Sequence, residues 1–343
     1  MDLQDPPTTP PTDAPLAPAR PRAGGKFRPQ TPRVPRRALH GVLLLDKPLG
    51  LSSNDALQKV KRIYRAEKAG HTGTLDPLAT GLLPICFGAA TKFAQASLDA
   101  DKAYTATLRL GQTTVGGDRE GAVLQERPVH VTPEGIAQAC AQFTGEQDQL
   151  PPMHSALKKD GKALYEYARA GIEVERPTRR VTIHTIDVLG WDDQAMQLTL
   201  AIRCTKGTYI RTLAESIGEA LGCGAHLAAL RRTASGGLSV DHVVTLEQLT
   251  AMSETERDAQ LLSPDQLVRD WPEVRLPTDE AARFLQGLRR RIRWPDSPAV
   301  RVYGPEPAAF LGSAHITAGE LIADRLLSPT EVQGLLDTSE STT

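Results

Sequence analysis

A period-two alternation restricts this chain more than any other feature. Tyr104, Ala106, Leu108 and Leu110 alternate with Thr105, Thr107 and Arg109, which gives an extended segment one apolar face and one polar face. Similar segments recur around Val181 to Val188 and Leu198 to Cys204. Helical spacing lies between and after them, at about 133–143, 161–170 and 208–221, the last through Ile210, Leu213, Ala214, Ile217 and Leu221. Strands and helices mix without a regular βαβ rhythm. That predicts an α+β domain built on a central, mainly antiparallel sheet.

The remaining chain falls into segments by composition. Residues 1–38 are rich in proline, with Arg20, Arg22, Lys26, Arg28, Arg33, Arg36 and Arg37 in their second half, and read as a disordered basic tail, either solvated or a weak phosphate tether. Order is expected from Gly41, where Val42 to Leu45 form an apolar strand ending in a turn at Asp46-Lys47-Pro48-Leu49-Gly50. A helix capped by Ser52 or Ser53 follows and carries Ala56, Val60, Ile63 and Tyr64 toward Gly70. The main domain is placed at 39–250, a linker at 251–274, a compact unit at 275–333 and a disordered end at 334–343.

Charge and cysteine usage exclude little. With 40 Lys+Arg against 41 Asp+Glu, any nucleic-acid surface must come from segregation of charge. Cys86, Cys140, Cys204 and Cys223 lie far apart, so reduced thiols and no metal centre are expected. No apolar run reaches the roughly 18 residues of a membrane span, and the N-terminus lacks a signal-peptide core. The expectation is a soluble cytoplasmic monomer with no membrane association and no obligate protein partner.

The most unusual segment is Gly70-His71-Thr72-Gly73-Thr74-Leu75-Asp76-Pro77-Leu78-Ala79-Thr80-Gly81. Glycines, small hydroxyl residues and a proline that biases Asp76 away from helical geometry make a shaped loop able to present one carboxylate. Read alone, an Asp-Pro in such a loop is a turn residue. Yet Gly73 to Gly81 closely resembles the active-site signature of the TruB family of tRNA pseudouridine synthases. Further segments agree in order. These are Leu45-Asp46-Lys47-Pro48 with Gly50-Leu51-Ser52-Ser53, Lys102-Ala103-Tyr104 with Gly111-Gln112, and Pro151 to Lys158. Tyr165 to Arg169, Gly207-Thr208-Tyr209-Ile210-Arg211, and Gly222 to Leu227 with Leu230-Arg231-Arg232 complete the set. The resemblance spans about 41–237 and departs from the family pattern between Thr113 and Gly121, where Asp118 and Gly121 are retained. A weaker likeness, through Phe284-Leu285-Gln286-Gly287 and the Arg301 to Leu311 hairpin, joins 275–333 to the PUA-like β-barrel of bacterial members.

The resemblance implies a cofactor-free isomerase acting on the T-loop uridine at tRNA position 55. Asp76 is then the nucleophile, Arg211 its basic partner and Tyr104 the ring that stacks on the extruded base and a candidate for the final proton removal. Tyr209 and Leu230 line the pocket, Lys47 braces it and His71 fills the space the base leaves. Arg231 and Arg232, with Lys158, Lys159, Arg179 and Arg180, are basic pairs placed to meet phosphates, and Arg289 to Arg293 suit the acceptor arm. Each residue also has a plainer reading: Arg211 as a solvated helix residue beside Glu215, Tyr104 as core, His71 as a structural histidine, the basic pairs as surface. The rival functions are a guide-RNA-dependent synthase, a tRNA-folding chaperone and a small-molecule enzyme holding a phosphate in its glycine-rich loop.

Overall fold

The computed structural model describes residues 34–291, 294–305 and 309–340. The chain enters through β1 (Gly41–Lys47) and α1 (Ser53–Ile63), then runs through β2 (Ala69–His71), β3 (Ala79–Phe87), α2 (Ala94–Asp99) and β4 (Lys102–Leu110). A hairpin, β5 (Gln112–Thr114) and β6 (Val123–Glu126), leads to α3 (Pro133–Gln142), β7 (Gly145–Gln149), the short β8 (Lys158–Lys159) and β9 (Lys162–Ala163), and α4 (Leu164–Arg169). The long β10 (Arg179–Asp192), β11 (Gln197–Cys204), α5 (Ile210–Ala220), β12 (Ala225–Ser235) and β13 (Leu238–Ser239) follow.

The principal sheet runs β1-β3-β12-β4-β11-β10-β7, with β2 added on β3 and β13 on β12. Its pairings are antiparallel except β12 on β3. The alternation from Tyr104 sits in β4, with Ala106, Leu108 and Leu110 buried. They pack with Ile210, Leu213, Ala214 and Ile217 of α5 and with Ala225 and Leu227 of β12. Each buried Leu or Ile contributes about 2 kcal/mol by leaving water.

β1 shows no alternation because both its faces are covered. Leu43 and Leu45 join Ala56, Leu57 and Val60 of α1, whereas Val42 and Leu44 face a second core that includes Leu267, Val268, Tyr303, Phe310 and Leu327. The chain between the two sheets is therefore packed: α6 (Leu246–Ala251) and α7 (Glu254–Asp258) precede an antiparallel bridge of Leu262 to Val42. This corrects the expectation of a linker at 251–274.

Beyond it, β14 (Glu273–Arg275), α8 (Thr278–Leu285), β15 (Arg290–Arg291), β16 (Ser297–Tyr303), β17 (Phe310–Thr317) and β18 (Glu320–Leu326) form a second sheet, ordered β14-β16-β17-β18-β15. The hairpin read at 301–311 falls where β16 pairs antiparallel with β17. α9 (Pro329–Glu340) closes the described chain and packs Val332 and Leu335 on the shared core. Thus 334–340 is helical rather than unstructured. At the other end, the Arg37 amide donates to the Arg65 carbonyl (2.8 Å) and the Glu67 amide to the Arg37 carbonyl (3.0 Å), so docking starts ahead of Gly41. Tail positions 1–33 and Arg293 lie outside the described residues. α1 also stops well short of Gly70, because Arg65 takes a left-handed φ of 53° after the Tyr64 cap.

Candidate active site

The loop joining β2 to β3 is pinned almost residue by residue. Thr72 is buried; its amide donates to the Pro84 carbonyl (3.1 Å) and its hydroxyl accepts from Ser97 Oγ (3.0 Å). Ser53, the first residue of α1, accepts from the Leu75 amide (2.7 Å) and donates to the Leu75 carbonyl (3.1 Å). The Gly50 amide donates to the Pro77 carbonyl (2.8 Å), and the Ala79 amide to that of Asp76 (3.0 Å). These bonds fix the backbone on both sides of Asp76, which orients its carboxylate before any ligand arrives.

Arg211 meets that carboxylate from the first turn of α5. Its Nη2 lies 2.9 Å from Asp76 Oδ2 and its Nη1 3.6 Å from Asp118 Oδ2. Nη1 also donates to the Gly116 carbonyl (3.1 Å), and Nη2 to that of His154 (2.6 Å). Arg211 is 5% exposed. A guanidinium so buried is costly unless its donors are matched, and here two carboxylates and two carbonyls match them. The Asp76 side chain remains 44% exposed. Arg211 is thus the buried partner, and Asp76 the accessible one.

The Asp76–Arg211 pair stands between two cavities. The first, of about 350 Å³, is lined by Lys102, Tyr104, Tyr209, Leu230 and Arg232 besides the pair and their loops. Leu230 and Tyr104 also touch both apolar cores flanking the sheet. Half-buried, they give the cavity that holds the carboxylate apolar lining, a setting suited to a planar base. Burial pushes the Tyr104 phenol up, and the adjacent Arg232 guanidinium opposes that shift. The second cavity, of about 600 Å³, takes in Ser52, Asp118, His154, Tyr165 and Arg169. Arg169 stacks over the Tyr165 ring at 5.3 Å.

Tyr209 caps α5 at the mouth of the first cavity. Its amide donates to the buried Gln149 Oε1 (2.9 Å), and Arg179 lies over its ring at 5.5 Å. Lys47, fully buried, donates to the carbonyls of Pro48 (2.9 Å) and Leu51 (2.5 Å). It supports the turn beside the loop rather than the cavity surface. Burial lowers its pKa to about 8, against the attraction of Asp76. His71 is half-buried in β2, opposite Ile85, with its ring beside the Gly73 backbone. It lines neither cavity, and burial, assisted by Arg232, pushes its pKa down.

Several of the basic pairs stay at the surface but are matched by neighbours. Arg231 makes a two-pronged pair with Asp46 (2.9 and 2.8 Å). Arg180 faces Glu146 (2.9 Å) and Asp148 (3.5 Å), and Lys159 donates to the Glu175 carbonyl (3.0 Å). Arg290 pairs with Glu280, and Arg289 with Glu320 at 3.5 Å. Arg232 departs furthest from expectation. At 1% exposure it is no phosphate contact of the surface, because it projects inward where β12 runs between β3 and β4.

Sequence reading also passes over Asp118, Lys102, Gln149 and Ser53 as supports of the site. Asp118 was visible only as a retained position in a divergent loop. Lys102 donates to the carbonyls of Ser97 (2.9 Å), Leu98 (2.9 Å) and Ala100 (2.5 Å), closing the end of α2. Its pKa is lowered to about 8, by burial first and Arg232 next. No spacing rule exposes that role.

Comparison with known proteins places this geometry in a family. Residues 61–210 match the N-terminal domain of the TruB family pseudouridylate synthases. Residues 211–271 match the tRNA pseudouridylate synthase B C-terminal domain, and 272–327 match the C-terminal region of pseudouridine synthase II TruB. The tRNA pseudouridine synthase B of Verminephrobacter eiseniae is 58% identical over 309 residues, covering 89% of this chain and 93% of that one. That of Cupriavidus pinatubonensis is 60% identical over 307 residues, with 86% and 96% covered. Among solved structures, a chain of a Cbf5-Nop10-Gar1 complex is 26% identical with a TM-score of 0.67, covering 85% of this chain and 86% of that one. The loop that carries Asp76, the arginine that fixes it and the domain matches along the chain agree: the chain belongs to the TruB family of pseudouridylate synthases.

Proposed function

We propose that the chain isomerises the T-loop uridine at position 55 of tRNA to pseudouridine, with Asp76 as nucleophile. The observation that carries this reading is a carboxylate paired with buried Arg211, in a cavity that Tyr104 and Leu230 also line. The reaction breaks the N1–C1′ bond, turns the uracil and joins C5 to C1′. One proton leaves C5 and one is gained at N1, with no redox change. Asp76 holds the opened species covalently while the base turns. Arg211 keeps that carboxylate aligned and neutralises it whenever it is released. Tyr104 and Leu230 replace part of the stacking that the extruded uridine loses, while His71 enters the space it leaves.

The bacterial relatives resemble the chain along most of its length, which supports a stand-alone tRNA enzyme over a guide-RNA-dependent one. Incubation with an unmodified tRNA transcript, followed by carbodiimide labelling and primer extension, tests the reading. A new stop at the T-loop uridine, without guide RNA or partner protein, is expected. Binding without any stop favours a folding chaperone, and stops only with a guide RNA and partners favour the assembled type.

A further inference from the structure

Arg232 is the largest fully buried side chain among the described residues. No carboxylate pairs with it there. Its Nε donates to the Leu82 carbonyl (2.7 Å) and its Nη2 to the Gly73 carbonyl (3.4 Å). Its neighbour across the β12–β4 register is Tyr104, whose phenol interacts with the guanidinium, and both line the base cavity. Lys102, also buried and held by carbonyls, lines the same cavity. An unpaired buried cation costs several kcal/mol, and an apolar side chain would fill the gap between β3 and β4 without that cost. A cation so placed can stabilise negative charge that develops during a reaction.

We propose that Arg232 is a positioning residue for Tyr104, holding its phenol oxygen and compensating the phenolate formed while Tyr104 moves a proton from the C5 side of the uracil to the N1 side. The inference rests on the isomerisation proposed above. As the N1–C1′ bond breaks, its electron pair stays on N1, which takes the phenol proton, and Tyr104 becomes a phenolate. After the base turns, C5 bonds to C1′ and releases the covalently held carboxylate. The phenolate then accepts the C5 proton. The side chains end as they began, and the net change is the proton transfer that the isomerisation requires. Burial, with smaller upward pushes from Cys204 and Asp76, raises the phenol pKa, so Tyr104 rests neutral and ready to donate, while the guanidinium opposes the shift and favours the transient anion. Through the Gly73 carbonyl the same guanidinium also ties the phenol to the loop of Asp76.

The test compares full-length wild type, Arg232→Lys and Arg232→Gln in single turnover, on tRNA transcripts carrying hydrogen or deuterium at C5. Expected are wild-type tRNA binding and a rate loss on the order of 10²–10³-fold for Arg232→Gln. The loss should be smaller for Arg232→Lys, and the C5 isotope effect should shrink as N1–C1′ cleavage, which needs the phenol proton, becomes limiting. A ring-fluorinated tyrosine at position 104, whose phenolate forms more readily, should recover part of the Arg232→Gln loss. A slow variant with an unchanged isotope effect and no recovery would overturn the inference, as would failure of both variants to fold, since either assigns Arg232 to the scaffold. Wild type runs in every arm, so its inactivity would instead sink the isomerase reading.

Discussion

Arg211 gathers Asp76, Asp118 and two loop carbonyls around one planar group, and a lysine cannot reproduce that fork. Arg211→Lys is expected to lower the turnover rate by about 10²-fold or more with tRNA affinity nearly unchanged, as single-turnover kinetics beside filter binding will show. Lys47 makes a pH prediction. Its folded pKa, about 8, lies below its ordinary value of 10.5, so above pH 8 the native state sheds this proton before the unfolded chain does. The unfolded chain then binds more protons, and the Lys47 contribution to stability rises between pH 8 and 10.5. The melting-temperature difference between wild type and Lys47→Met should move in favour of wild type across that window; a constant difference would contradict it. At this scale the motifs pointed to Asp76, Arg211 and Tyr104, which the structure brings to one cavity. Arg232 was misread, because a basic pair carries no sign of which member faces inward.

The elements explain that misreading. β12 has register shifts at Leu227/Ala229 and Arg232/Ala234, which break the period-two pattern by which an inward residue is recognised. Its parallel pairing with β3 also joins distant segments, and local pattern says nothing of it. β4 and β11 were legible because each alternates over most of its length; α3 and α5 were legible from their apolar spacing. The contact of β12 with β3 is tight. Gly81 sits at a φ of +95°, and an added Cβ there would lie 2.3 Å from the Arg232 carbonyl oxygen. Gly81→Ala should therefore cost about 3 kcal/mol or more and shift the strand beneath the Asp76 loop, seen as a lower denaturation midpoint together with lost activity.

In the molecule as a whole, the second sheet is part of the foundation of the first. Phe93 stacks on Phe310 at 5.0 Å, and Phe310 on Tyr303 at 5.5 Å, in the core that covers Val42 and Leu44 of β1. Composition suggested a linker there because the segment is polar and charged, but the apolar residues at its end, Leu262, Leu267 and Val268, are the ones that pack. Truncation after residue 271 is expected to expose that core and destabilise the catalytic sheet instead of releasing an intact domain. Phe310→Ala should cost about 3–5 kcal/mol, measured by urea denaturation of the full chain. The central claim, that Asp76 is the nucleophile of a uridine isomerisation in tRNA, is tested most directly by tritium release from a transcript labelled at C5 of uridine. Release by wild type and none by Asp76→Asn, with equal tRNA binding, is the predicted result; release by Asp76→Asn at the wild-type rate would contradict it.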